Sequence, residues 1–181
     1  MIARPSSPSA KNDPTWEVKQ HLYGLDMVNE AKSRFTDIPI CIYGHSMGGN
    51  IVANYALSPQ FNNELKAIVL ASPWFKLAFE PPQFKLMLAS LMRRIYPSFT
   101  EENTLDGVGL SRNQEVGKAY MNDPLVHGYI TAGAFFALHE AGLFALKNAH
   151  AMPKPTLLMH GTADSITSHL ASRNFAHSNS T

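Results

Sequence analysis

Ser46 stands between two glycines in Gly44-His45-Ser46-Met47-Gly48, and Asp164 closes the run His160-Gly161-Thr162-Ala163-Asp164 near the far end of the chain. A serine hydroxyl is a poor nucleophile until a base takes its proton, and that base needs an acid to orient it. Serine and carboxylate are two of the three groups that acyl transfer requires. The third would be one of the eight histidines. His45 adjoins the serine, and its side chain is expected to point elsewhere. His160 is expected to hydrogen-bond within its own loop. His169 and His177 follow Asp164 too closely to sit on a separate loop, and His127 and His139 fall in the middle of the chain.

The pattern Gly-x-Ser-x-Gly arises by chance in about one chain in twenty of this length. Its setting here is more specific. The run IPICIY (38 to 43) before it is apolar and β-branched, as a strand buried on both faces of a parallel sheet would be. MGGNIVANYALS after it reads as a helix. Strand, tight turn and helix together make a nucleophile elbow. Glycines at both Gly44 and Gly48 are expected to let neighbouring backbone pass without a Cβ clash. The helix N-terminus offers free N–H groups to a developing oxyanion, that of Met47 among them. The alternative is a Gly-rich turn whose serine merely caps the helix. For Asp164 the alternative is a loop carboxylate that caps the last helix.

The elements around these residues alternate. A helical period runs from Trp16 through Val18, Leu22, Leu25, Val28 and Phe35. LKAIVLASP (65 to 73) and PTLLMHGTAD (155 to 164) are two more buried strands. Helices are expected over residues 82 to 96, over TAGAFFALHEAGLFALKNA, and over ITSHLASRNFAH, the last entered through Ser165 or Thr167 as its cap. This order implies an α/β fold with a mostly parallel sheet and flanking helices, in which active groups gather at the carboxyl ends of the strands. Ser46 and Asp164 both fall there. The segment from about 75 to 130 has no clear strand and reads as an insertion over the same edge. Residues 1 to 14, rich in Pro, Ser and Ala, read as a disordered arm.

Composition narrows the classes. A net charge of +1, with no basic run longer than Arg93-Arg94, gives no reason to expect nucleic-acid binding. No run of about 18 apolar residues suggests a membrane span, and the N-terminus lacks the apolar core of a signal peptide. The single cysteine, Cys41, staples nothing, which suits a reducing, cytoplasmic setting. The histidines show no paired ligand spacing, so no metal or organic cofactor is expected.

Three stretches, YGHSMGGN, SRNQEVGKAYMNDPLVHG and PTLLMHGTADSITS, resemble the monoacylglycerol lipase and lysophospholipase branch of the α/β-hydrolase family. The likeness covers most of residues 35 to 176. It implies Ser46 as nucleophile, Asp164 as triad acid, and the Met47 N–H in the oxyanion hole. It also implies a helical cap at about 75 to 130 over an acyl pocket, and a small lipid ester as substrate, although related caps serve other esters and some peptides. Phe84, Leu86, Met87, Leu88, Leu91 and Met92 would line that pocket or else form ordinary helix core. Two departures stand out. The family's upstream strand with a His-Gly turn is missing, and so is its histidine after a further strand beyond the acid. The chain is therefore expected to be a fragment of an α/β-hydrolase domain (15 to 181), incomplete at both ends. As such it would hydrolyse esters weakly or act only in binding. Two contacts follow as expectations. Exposed sheet edges would favour self-association, and an apolar cap helix beside Lys85, Arg93 and Arg94 would touch a lipid surface.

Overall fold

The computed structural model describes residues 16–59, 61, 65–96, 99–102, 107–126, 128–153 and 155–179. The expected N-terminal arm and His127 lie outside the described residues, as do the side chains of Lys85, Leu86, Arg93 and Arg94. Three parallel strands form the sheet: β1 (Cys41–His45), β2 (Ala67–Ala71) and β5 (Thr156–Met159), in the order β1-β2-β5. The helices are α1 (Trp16–Arg34), α2 (Met47–Ala56), α3 (Gln83–Ile95), α4 (Gln114–Asn122), α5 (Ala132–Lys147) and α6 (His169–Asn179).

β1 begins three residues later than IPICIY suggests. Pro39 has no N–H to give a ladder, and pairing starts at Cys41 opposite Ala67. The expectation that the strands are buried on both faces also needs correcting. In register, Ile42 and Ile68 point to one side with Leu70, at 7%, 2% and 0% exposure, while Tyr43 and Leu157 on the other side are 62% and 54% exposed. The reason is one-sided packing. Val28 of α1, Val52 and Tyr55 of α2, Ala145 of α5 and Phe175 of α6 all join Ile42, Ile68 and Leu70 in one core. Among the described residues no element covers the row Tyr43, Val69 and Leu157.

A buried amide ties this core to the loops above it. Asn50 of α2 is 0% exposed, and its Nδ2 donates to the Trp74 carbonyl at 2.7 Å and the Leu138 carbonyl at 2.8 Å. Helix, post-β2 loop and α5 are thereby locked together, because an orphaned amide at that depth costs about 1–3 kcal/mol.

The excursion between β2 and β5 contains strands that periodicity does not reveal. β3 (Thr100–Glu102) and β4 (Tyr129–Thr131) pair antiparallel, three residues each. Strands so short show no alternation to read. α3 carries Phe84, Met87, Leu88 and Leu91 exposed, so ordinary helix core does not describe them. The last helix starts at His169, and its entry is Ser168, whose hydroxyl accepts from Ala171 N at 3.2 Å. Neither Ser165 nor Thr167 caps it, since the Thr167 hydroxyl is already engaged with Asp164.

Candidate active site

Ser46 follows β1 directly with φ 52° and ψ −117°, a backbone that non-glycine residues rarely adopt. The surroundings impose it. Ser46 N donates to the Ala71 carbonyl of β2 at 3.0 Å, which keeps the chain in the sheet. The Ser46 carbonyl accepts from Asn50 N at 3.2 Å and Trp74 N at 3.0 Å, which starts α2 in the next residue. The hydroxyl makes no capping hydrogen bond to α2, so the cap alternative does not describe it. Met47 opens α2, and the N–H of a first helical residue has no partner in its own helix.

The two motif glycines are not equivalent, which corrects the expectation that both are needed to avoid a clash. A Cβ on Gly44 would strike the Gly48 carbonyl, whereas a Cβ on Gly48 would meet no described atom within 4 Å. The second tight position is Gly49, whose Cβ would lie 2.9 Å from Pro73 Cβ.

Asp164 lies five residues beyond β5, at the same carboxyl edge as Ser46. With β2 between them, β1 and β5 are about 10 Å apart. One imidazole with a hydrogen bond at each end spans such a gap when both side chains lean inward. The loop after β2 is the strut between the two sides. Trp74 N holds Ser46, Ser168 N donates to the Lys76 carbonyl at 2.9 Å, and Ala78 N donates to the Ile166 carbonyl at 3.0 Å. Ser72 in this strut is the other described non-glycine residue with positive φ, at 42°.

The Asp164 carboxylate accepts from Ile166 N and Thr167 N, both at 2.8 Å, and from the Thr167 hydroxyl at 2.9 Å. Burial pushes its pKa up. Its hydrogen bonds with Thr167 and Ile166, and the nearby His160, outweigh that and hold the carboxyl below the usual carboxylate range. A carboxyl lowered on folding stabilises the fold above its unfolded value and loses that contribution as pH falls through the folded value. Acidification below about pH 4 is therefore expected to weaken the wild type more steeply than Asp164→Asn. Urea unfolding at stepped pH measures it, and parallel pH slopes for the two proteins would refute it.

His160 is buried beside Asp164, with Nε2 at 3.3 Å from Oδ2; it bonds the Thr167 carbonyl of its own loop, as the sequence suggests, but also reaches out of the loop to the Ser172 hydroxyl of α6. His45 is exposed on β1, and His139 stacks on Phe135. His177 lies 3.4 Å from Arg173 Nε. Among the described residues no histidine is hydrogen-bonded to Ser46. A cavity of about 1160 Å³ opens beside the acid, lined by Ser72, Gly161 and Asp164 on one wall and Arg112, Lys118 and Met121 on the other. No group of three His, Cys, Asp or Glu side chains among the described residues is arranged to hold a metal ion. Thr167, Asn50 and Trp74 escape sequence reading. Only the Asp-x-x-Thr spacing of 164 and 167 hints at a side chain bonding its own loop.

The profile of the family described as serine aminopeptidase, S33, matches residues 19–181. A monoacylglycerol lipase of Mycolicibacterium smegmatis is 33% identical over 139 residues, which is 76% of this chain and 49% of the relative. The crystal structure of Paleococcus ferrophilus monoacylglycerol lipase matches with a TM-score of 0.75 and 30% identity, over 87% of this chain and 60% of that one. A soluble variant of monoglyceride lipase from Saccharomyces cerevisiae, solved with a substrate analog, shares the fold with a TM-score of 0.71 at 24% identity, over 89% of this chain and 55% of that one. The chain spans about half or less of the length of the curated relatives it matches.

Proposed function

Because this chain belongs to the serine aminopeptidase S33 family and has its α/β-hydrolase fold, we propose that it carries the nucleophile and acid of a serine esterase. The substrate class is the monoacylglycerols and lysophospholipids. Ser46 Oγ attacks the ester carbonyl while a histidine base takes its proton, and the Met47 N–H holds the oxyanion. The same histidine then protonates the leaving alcohol as the carbon–oxygen bond breaks. Water, deprotonated by that histidine, hydrolyses the acyl-Ser46. Asp164 orients the imidazole. The observation that carries this reading is Ser46 itself, a strained serine at a strand end whose hydroxyl does not cap the helix it precedes. Strain of that kind costs about 1–3 kcal/mol and persists where the surroundings enforce it, most often at active sites.

The similarity to monoacylglycerol lipases supports the monoacylglycerol part of that class. The exposed apolar side chains of α3, Phe84 at 67% and Met87 at 73%, suit a cap that touches a lipid surface. The uncovered sheet face, with Tyr43 and Leu157, suits association with further protein surface. A second reading is that the 181-residue chain by itself only binds acyl ligands, which the absence of a described histidine at Ser46 favours.

Added imidazole separates the two readings. A general base is worth about 10²–10⁴-fold, so the chain alone is expected to turn over p-nitrophenyl esters weakly. Free imidazole is expected to speed capture of a fluorophosphonate at Ser46 by at least about tenfold. A folded chain that is never captured at any imidazole concentration, yet retains an ether analogue of a monoacylglycerol, would leave only the binding reading. Fast ester turnover without imidazole, lost in Ser46→Ala, would instead reveal a base within the chain.

A further inference from the structure

We infer that Thr167 and His160 are positioning residues for the Asp164 carboxylate, Thr167 as a permanent clamp and His160 as a neighbour that leaves one Oδ2 site open to the catalytic base. The inference rests on Asp164 being the triad acid. A carboxylate has about four lone-pair sites, and hydrogen bonds from the loop fill three of them. Oδ1 takes the N–H groups of Ile166 and Thr167, while Oδ2 takes the Thr167 hydroxyl at 2.9 Å and faces His160 Nε2 at 3.3 Å. The Thr167 hydroxyl also lies 3.5 Å from the Ser72 carbonyl, but its one proton goes to the nearer, charged oxygen.

The protonation of His160 follows from what surrounds it. Its Nδ1 is 2.7 Å from the hydroxyl of Ser172, which is 1% exposed. Its Nε2 faces the Thr167 carbonyl at 3.2 Å, the Thr167 hydroxyl at 3.3 Å and Asp164 Oδ2. A lone pair on Nε2 would face two acceptors, a carbonyl and a carboxylate, and could be satisfied only by taking the Thr167 proton away from Asp164. With the proton on Nε2, every group is served. The Ser172 hydroxyl donates to Nδ1, and the Nε2–H goes to the Thr167 carbonyl, with Asp164 Oδ2 alongside at 3.3 Å.

The fourth site, on Oδ2, is thus beside His160 but not filled by it. An incoming imidazole N–H takes the open Oδ2 site, and the His160 N–H stays on the Thr167 carbonyl. No buried donor is orphaned, and no proton changes hands. The Thr167 hydroxyl has no such second partner at comparable distance, so it stays on Oδ2 and fixes the carboxylate's rotation. His169, whose ring centre is 6.5 Å from that of His160, is the neighbouring titratable group on α6.

Two NMR measurements on the 181-residue chain test this without any catalysis. Long-range nitrogen–proton correlations report the His160 tautomer, expected to carry its proton on Nε2. Titration of the Asp164 carboxyl carbon reports the clamp. Thr167→Val is expected to raise its midpoint by about one pH unit, and Thr167→Ser to restore it. A His160 proton on Nδ1, or a folded Thr167→Val with an unmoved midpoint, overturns the inference. Should Thr167→Val fail to fold, the wild-type tautomer still decides, together with the midpoint of His160→Phe, which is expected to rise. In the functional arm, imidazole-assisted capture at Ser46 slows about tenfold in Thr167→Val and recovers in Thr167→Ser. Equal capture by wild type and Thr167→Val overturns the positioning role. Absence of capture in the wild type with the expected NMR results counts against Ser46 as nucleophile, while the clamp on Asp164 stands.

Discussion

Ser46→Ala eliminates imidazole-assisted fluorophosphonate capture, and Ser46→Gly does the same while making the fold more stable. Loss of the nucleophile costs on the order of 10⁶-fold in a serine hydrolase, so no residual labelling is expected. The stability arm rests on the backbone. At φ 52° and ψ −117° a Cβ crowds its own peptide planes, a strain of about 1–3 kcal/mol that glycine does not carry. Glycine brings a larger loss of chain freedom on folding, about 0.5–1 kcal/mol. The hydroxyl makes no capping bond that would be missed. The balance is a gain of about 1 kcal/mol for Ser46→Gly and little change for Ser46→Ala, which keeps the Cβ. Urea unfolding monitored by circular dichroism measures both. A Ser46→Gly protein less stable than wild type would mean that the serine backbone is relaxed and that the strain argument for a functional site fails.

Gly44→Ala is expected to be among the most damaging single substitutions in the chain, and Gly48→Ala among the most benign, although both glycines belong to one motif. A Cβ at residue 44 would run into the Gly48 carbonyl and come within 2.8 Å of Gly49 N, all of it backbone that cannot rotate away. The last turn of β1 and the first turn of α2 would have to part, and the Ser46 bonds to Ala71, Asn50 and Trp74 would go with them. A loss of about 3 kcal/mol or more is expected, at the upper end of overpacking costs. At residue 48 a Cβ meets nothing described within 4 Å, and φ there is not positive. Replacing a helical glycine with alanine in open space adds about 0.5–1 kcal/mol. Thermal unfolding of the two variants side by side tests the contrast. Similar destabilisation by both would show that Gly48 is packed as tightly as Gly44.

Five of the described helices, α4 excepted, and the three strands of the sheet were legible because each depends on a local pattern. α2 and α5 lie within a residue or two of their apolar periods, and β2 and β5 lie inside the runs that suggest them. Ser46 and Asp164 were legible for a related reason: a strand end is a position along the chain, and both residues follow one. The β3–β4 ribbon was not legible, because its pairing joins Thr100 to Thr131 across thirty-one positions with three residues on each side.

What the sequence determined by itself is the alternation of the sheet strands with their flanking helices, and the positions of Ser46 and Asp164 just after strand ends. The tertiary structure decided the rest. It shows that Gly44, not Gly48, lets the elbow close, that the helices gather on one face of the sheet, and that Thr167, His160 and Ser172 surround the acid. Periodicity records how each residue faces its own element, with a reach of a few positions. A hydrogen bond such as Asn50 to Leu138 depends on how distant elements are stacked, and only the packed chain brings those atoms within 2.8 Å.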